Sequence, residues 1–296
     1  MRLSVNATNF SWPSGPRRMA TELASIAQQA DDGGLDTLWV SDHLLQVEPG
    51  TDPAQEMLEA YTTLGYLAAI TSRIRLGTMV TAATFRSPTL LVKAVTTLDV
   101  LSGGRAWLGI GAGHQVEEAD MMGLSMPPLA ERFEHLEDVL HLAARMWSGD
   151  QRPFTGARHR ATRPIASPPP LSTPHPPILV AGMGEKKTLR LVARHAQACN
   201  LPDIPDGGRT LRHKLGVLAA HCADAGRPIE EIDKTVATRL GPAETPAEFT
   251  ERCAALAAFG LDHVVVITSG PWTTGALASL TAAAPEVARI KAASIA

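Results

Sequence analysis

The sequence predicts an α/β protein, a single closed (β/α)8 barrel of the TIM type with one insertion after the fourth helix. Three observations carry this prediction. Short β-branched, apolar runs alternate with helix-periodic runs along the chain, and such alternation pairs strands in parallel through right-handed crossovers. Eight of these units follow in series, which favours a closed barrel over an open, doubly wound sheet. The 296 residues are 45% hydrophobic and 19% charged, enough apolar material for one barrel-sized core, so one domain is expected over 1–296.

Leu3 to Ala7 alternates as a first strand, and a Ser/Trp/Pro/Gly-rich loop follows it. Met19 to Gly33 spaces Leu23, Ile26, Ala27 and Ala30 as a helix, which Gly33-Gly34 stops. Thr37 to Ser41 reads as strand two, Met57 to Thr71 as helix two, and Ile74 to Val80 as strand three. Pro88 opens helix three, Gly103-Gly104 closes it, and Arg105 to Gly111 is strand four. Helix four runs from Leu129 to Trp147. Phe154 to Pro177 is then so rich in Pro and Arg that regular helix is excluded; this is the insertion, expected near the barrel mouth. The alternation resumes with strands at Ile178 to Ala181, Ala198 to Leu201, Thr235 to Leu240 and His263 to Thr268. Helices at Glu185 to His195, Thr210 to Ala225 and Pro246 to Phe259 separate them, and Gly275 to Ala284 supplies the eighth.

A net charge of -3 and a pI near 6.4 give no general attraction for nucleic acid or for acidic membrane surfaces. A small organic molecule is the expected partner. Cys199, Cys222 and Cys253 match neither a metal pattern nor a disulfide framework and read as reduced thiols. The N-terminus MRLSVNATNF has no apolar signal core, and no run is long enough to cross a bilayer, so a cytoplasmic protein is expected.

Thr37 to His43, TLWVSDH, is a buried-strand run that ends abruptly in Asp42 and His43, where parallel α/β folds place chemistry. A histidine after one strand is also a common structural residue. The glycines of Gly109-Ile110-Gly111-Ala112-Gly113-His114 fail the dinucleotide fingerprint, which needs a third glycine where His114 stands. They do allow a flat ligand to approach the backbone closely, with His114 on the same face as His43. No carboxylate-rich set completes a metal site around the two histidines. Glycoside hydrolysis needs a second carboxylate facing Glu117 or Glu118, and strand seven ends in Arg239-Leu240 instead. Ser41-Asp42-His43 is contiguous and so does not make a triad. Ile178 to Leu191, ILVAGMGEKKTLRL, runs a strand through Gly182 and Gly184 into a helix start flanked by Lys186 and Lys187. That stretch is either a phosphate seat or only a tight turn. Met121, Met122 and Met126 suit either an irregular pocket wall or ordinary core filling.

Four stretches in register, Leu38 to His43, Leu76 to Thr81, Arg105 to Gly113 and Pro177 to Leu191, resemble the landmarks of the bacterial luciferase-like flavin-dependent oxidoreductases. The resemblance is closest to the branch that uses the deazaflavin coenzyme F420. It implies a barrel holding a tricyclic ring at the ends of strands two to four, with His43 beside the reactive ring carbon and Asp42 next to it. It implies a non-proline cis peptide at Met79–Val80, with Thr78, Met79 and Val80 flooring the ring. Gly111, Ala112, Gly113 and His114 would flank it, and Ala181, Gly182, Met183, Gly184 and Glu185 would seat the cofactor's side-chain phosphate. The chain departs from the F420-dependent sugar-phosphate dehydrogenases where His114 replaces their glutamate, which puts a sugar-phosphate substrate in doubt.

The resemblance thus implies an oxidoreductase that passes hydride between F420 and a small organic substrate, with His43 and His114 as the catalytic pair. An FMN-dependent monooxygenase using reduced flavin and O2, or a non-catalytic flavin-binding barrel, are the alternatives. Related barrels commonly form homodimers through their early helices, here Tyr61 to Ile70 and Leu90 to Leu98.

Overall fold

The computed structural model describes residues 1–48 and 50–295. Its parallel strands are β1 (Arg2–Ala7), β2 (Thr37–Val40), β3 (Arg75–Thr78), β4 (Thr81–Ala82), β5 (Ala106–Gly111), β8 (Ile178–Ala181), β9 (Ala198–Pro202), β10 (Asp233–Arg239) and β11 (His263–Ile267). They follow the order β3-β2-β1-β11-β10-β9-β8-β5, and β3 pairs back onto β5 to close the barrel. Helices α1 (Pro16–Asp32), α2 (Ala60–Ile70), α3 (Pro88–Ser102), α4 (Val116–Met121), α5 (Leu129–Trp147), α6 (Thr188–His195), α7 (Arg209–Asp224), α8 (Pro246–Ala257) and α9 (Thr274–Val287) lie between and after them. Among the described residues no helix is long and apolar enough to cross a membrane.

Alternation decides which side chains face which way. Trp39, Trp107, Leu179, Ala198 and Val265 fill the barrel interior, and the residues between them face the helices in the larger outer core. Helix ends follow local chemistry. Pro16 and Pro88 sit in first turns, Gly103 ends α3 at φ 71°, and Thr245 and Glu248 form a capping box at α8.

The third barrel position comes in two pieces. β3 pairs with β5 at Leu76↔Ala106 and Gly77↔Trp107, whereas β4 pairs at Thr81↔Ile110 and Ala82↔Gly111, so one extra residue is taken up between them. The Met79–Val80 peptide there is cis. The backbone crosses very close to β5: a Cβ on Gly109 would stand 1.8 Å from the Thr78 carbonyl oxygen. Thr78 is fully buried and donates from Oγ1 to the Gly109 carbonyl at 2.9 Å.

None of the insertion's described residues lines the cavity at the C-terminal ends of the strands, but Arg158 reaches the first turns of α5, where it pairs with Glu131 and Glu134. The insertion holds a small antiparallel hairpin, β6 (Phe154–Thr155) with β7 (Arg160–Ala161), and runs along the outer face of α5 and α3. The buried Asp138 carboxylate accepts from the backbone N–H groups of Ala157, Arg158 and His159, and the buried Asp99 carboxylate from those of Leu171 and Ser172. The reason is topological. A connection from a helix end to a strand start joins points at the N-terminal ends of the strands, opposite the mouth.

Those N-terminal ends carry a half-buried ionic layer. Arg2 pairs with Asp233 at 2.5 Å, and the buried His263 meets the Ser4 hydroxyl at 2.5 Å. Burial, opposed by the field of Asp36, holds the His263 imidazole down at about 4, against 6.5 in an unfolded chain. Between those values the unfolded chain binds a proton that the native chain refuses. Stability from this group is therefore complete above about pH 6.5 and is lost as the pH falls toward 4, by up to roughly 1.4 kcal/mol per unit. Denaturant unfolding at pH 7, 6 and 5 is expected to show this slope, and His263→Gln to flatten it. Gly109→Ala forces Cβ into the Thr78 carbonyl, so its unfolding midpoint is expected to fall by the equivalent of about 2–4 kcal/mol; an unchanged midpoint would contradict the close crossing.

Candidate active site

A cavity of about 520 Å3 opens at the C-terminal ends of the strands. Asp42 and His43 from the end of β2, Met79 and Val80 from the β3–β4 break, and Gly111 to His114 from the end of β5 line it, as do Ala181, Gly182 and Gly184 after β8. Three expected residues do not. Thr78 points into the outer core, Met183 packs against that core, and the Glu185 carboxylate turns to Lys214 and His213 on α7.

Glycine makes the walls. A Cβ on Gly111 would lie 3.3 Å from Val80 Cγ2 and 3.5 Å from the Ala181 carbonyl oxygen, so backbone alone forms that side. With Val80 as floor and Phe133 and Leu129 of α5 across from it, the space suits a flat apolar body.

His43 is held by a residue the sequence reading left unassigned. Glu118 on α4, 3% exposed, brings Oε2 to 2.8 Å from His43 Nδ1, while its Oε1 accepts from the backbone N–H groups of Leu44 and Leu45. Burial favours the protonated acid, but the bond and charge of His43 and the two backbone donors outweigh it and keep the Glu118 carboxyl below the usual range. A carboxylate only accepts hydrogen bonds, so Nδ1 of His43 carries the hydrogen and Nε2 is the nitrogen left for chemistry.

Asp42, 2% exposed, is equally committed. Arg86 donates to both of its oxygens, from Nη1 at 2.5 Å and Nη2 at 2.9 Å, reaches Glu59 at 2.6 Å and lies over the Tyr61 ring at 4.7 Å. Burial would lower the Arg86 guanidinium, yet the bonds to Asp42 and Glu59 raise it overall. A fork of this kind positions the β2 end, and leaves Asp42 no role as a proton carrier.

His114 stands across from His43, ring centroids 6.3 Å apart and planes nearly perpendicular. Partial burial lowers its pKa first, the neighbouring His43 and Arg132 push the same way, and Glu118 opposes them. It is thus a neutral imidazole at neutral pH. Arg132 is committed to the Gly113 carbonyl at 2.6 Å.

Beyond β8 the helix begins at Thr188, three residues later than expected, so a turn of Glu185 to Lys187 intervenes. A Cβ on Gly184 would come within 2.7 Å of Thr188 Oγ1. The backbone N–H groups of Gly184 to Lys187 make no hydrogen bond among the described residues, which leaves donors available for a ligand. Lys187 Nζ lies over the Phe133 ring at 5.1 Å.

Asn200, Thr188, Phe133 and Gln115 also line the cavity and were not anticipated. The methionines divide. Met126 packs under Gly113, Met122 is exposed, and Met121 borders a smaller cavity of about 280 Å3 between the β2–α2 loop and α4, next to Glu48 and Glu117. Among the described residues no group of three or more His, Cys, Asp or Glu is placed to hold a metal ion.

Several known proteins are similar to this chain. An F420-dependent glucose-6-phosphate dehydrogenase from Kineococcus radiotolerans is 32% identical over 238 residues, covering 78% of this chain and 66% of its own length. A protein of the same name from Amycolatopsis mediterranei is 29% identical, covering 76% and 65%. The matched region thus spans just under two thirds of these relatives. Among solved structures, an F420-dependent secondary alcohol dehydrogenase with an F420–acetone adduct superposes with a TM-score of 0.82 at 15% identity, over 97% of this chain and 98% of its own. A monooxygenase from Streptomyces bottropensis superposes at 0.79 with 19% identity, over 98% of both chains. At those identities the two structures speak for the fold. The profile of one family matches residues 1–290, nearly the whole barrel, and the chain belongs to that family, the luciferase-like monooxygenases.

Proposed function

We propose that this chain is an F420-dependent oxidoreductase that passes hydride between the deazaflavin and a small organic substrate. The observation that carries the reading is His43, locked through Nδ1 by the buried Glu118 at the rim of a glycine-walled cavity, in a chain with five relatives, 28–32% identical, that are named F420-dependent.

The residues present fit such a cofactor. Met79 and Val80 would floor its ring, Gly111 to Gly113 would flank it without side chains in the way, and the free N–H groups after Gly182 with Thr188 would hold its phosphate. When bound, F420 supplies two-electron hydride chemistry. Everything else is the protein's work. His43 Nε2 takes or returns the substrate's hydroxyl proton, and Glu118 stabilises the imidazolium that results. His114, held neutral, bonds to substrate or ring without adding charge. Arg86 and Asp42 fix the end of β2 so that His43 does not swing away. Among the described residues no lysine or arginine lines the cavity, which argues against a phosphorylated substrate. Pairing into a homodimer through α2 and α3 is part of the proposal, supported by Tyr66, Leu90 and Leu101 exposed on those helices.

Titrating the purified protein with F420 and with FMN, followed by fluorescence, tests the cofactor. F420 is expected to bind at least about 10-fold more tightly, a margin of about 1.4 kcal/mol. Tighter FMN binding would move the reading to a monooxygenase, and binding of neither would sink it. Glu118→Gln is expected to lower kcat about 10- to 100-fold with F420 affinity kept. Imidazole 15N shifts should show that His43 loses its Nδ1–H preference in that variant.

A further inference from the structure

At the end of the barrel opposite the active site lies a cavity of about 350 Å3. Arg75 from the start of β3, Gly104 after α3, Ser172, Thr173 and His175 of the insertion, and Gln197 before β9 line it. Among the described residues no aspartate or glutamate does.

Arg75 is the unusual member. It is half-buried, its guanidinium carbon lies 4.3 Å from the Trp107 ring centroid, and among the described residues its side chain has no hydrogen-bond or ion-pair partner. Every other arginine buried to that degree donates to a carboxylate or carbonyl oxygen, as Arg2, Arg86, Arg105, Arg132, Arg145, Arg227 and Arg252 all do. The aromatic face attracts the charge but satisfies none of the five N–H donors in the ordinary way. A guanidinium partly removed from water with its donors open is costly, and here those donors border the cavity.

The neighbouring acids are occupied elsewhere. Asp233 holds Arg2, with Asp36 at 3.9 Å from the same guanidinium, and Asp99 is taken by the N–H groups of Leu171 and Ser172 and by the Ser172 hydroxyl. Burial leads the causes that pull the Arg75 pKa below its ordinary value; the field of Asp36 opposes it, Arg2 adds to it, and Asp233 and Asp99 oppose it more weakly.

Further donors surround Arg75. Gln197 accepts from the Ile178 N–H through Oε1, so its amide NH2 is turned away from that bond and makes none of its own. The Thr173 hydroxyl is likewise uncommitted, on an exposed residue that leaves the cavity open to solvent. His175 is steadied by stacking on Trp147 and by the bond from Nδ1 to the Pro176 carbonyl. The fork of an arginine with amide and hydroxyl donors around it matches the oxygens of a carboxylate or phosphate.

We propose that this cavity is a second ligand site, one that binds a small oxyanion between Arg75, Thr173 and Gln197. The bound anion ties the insertion to the start of β3 and stabilises the native chain by mass action, without touching the catalytic cavity.

Inorganic phosphate is the probe. Thermal unfolding and calorimetric titration at constant ionic strength, with chloride as control, are expected to show saturable binding and a rising Tm. Arg75→Gln and Thr173→Val should each weaken phosphate about 10- to 100-fold, and Thr173, being exposed, guards against a variant that simply fails to fold. Acetate that displaces phosphate marks carboxylates as a source, and acetate that does not marks phosphates; either supports the site. No saturable response beyond chloride would overturn the proposal. So would a response that both variants keep, because phosphate would then be sitting at the turn after β8.

Discussion

A buried carboxylate that gathers the backbone N–H groups of a neighbouring loop is the interaction on which this structure depends. Asp31 holds the turn into β3 through Ser72, Arg73 and Ile74; Asp99 and Asp138 bolt the insertion to the outside of the barrel; Glu118 holds the end of β2 through Leu44 and Leu45. Each bond to a charged acceptor contributes about 1.5–3 kcal/mol, and loops with little apolar surface have few other ways to become rigid. At three sites the result is architecture. At Glu118 the second oxygen is left over for His43, and the same device reaches the rim of the cavity.

The two acidic partners near His43 do different work because their partners differ. Asp42 is neutralised by a two-pronged arginine and serves as a fixed post. Glu118 faces an imidazole that can gain and lose a proton, so its charge is available when the imidazole becomes positive. His114 has no carboxylate bonded to it, and burial with the nearby positive groups outweighs the opposing field of Glu118 and lowers its pKa. The two histidines on one rim thus differ in their partners: His43 bonds a buried carboxylate and His114 does not.

Much of the fold was legible in the chain because its signals are local. The helix from Leu129 to Trp147 has the limits its apolar spacing indicates, and glycine pairs mark the ends of α1 and α3. Misplacements occurred where a long-range contact sets the boundary. Helix α2 starts at Ala60 rather than Met57 because the Glu59 side chain caps the Thr62 N–H, and Met57 and Leu58 pack against the core instead. Strand three breaks because its pairing with β5 slips by one residue, which periodicity cannot reveal. In the site, residues on the strand ends were visible as motifs. Glu118 and Arg86 were not, since the partners they bind lie 75 and 44 positions away and ordinary surface charges look the same in a sequence. The local spacing even misleads, since Glu118 follows His114 by four residues yet bonds His43.

The slipped register between β3 and β4 has a heritable consequence. Side-chain direction alternates along a strand, so one added residue reverses which positions look inward. Below the break Gly77 faces the tryptophans of the interior; above it Thr81 turns its hydroxyl outward to Tyr61 and Thr78, and Ala82 meets the wall at Gly113. Losing a single residue there would turn every later side chain of the strand to the wrong side at once. The floor of the cavity can therefore change by exchange of side chains but not by change of length.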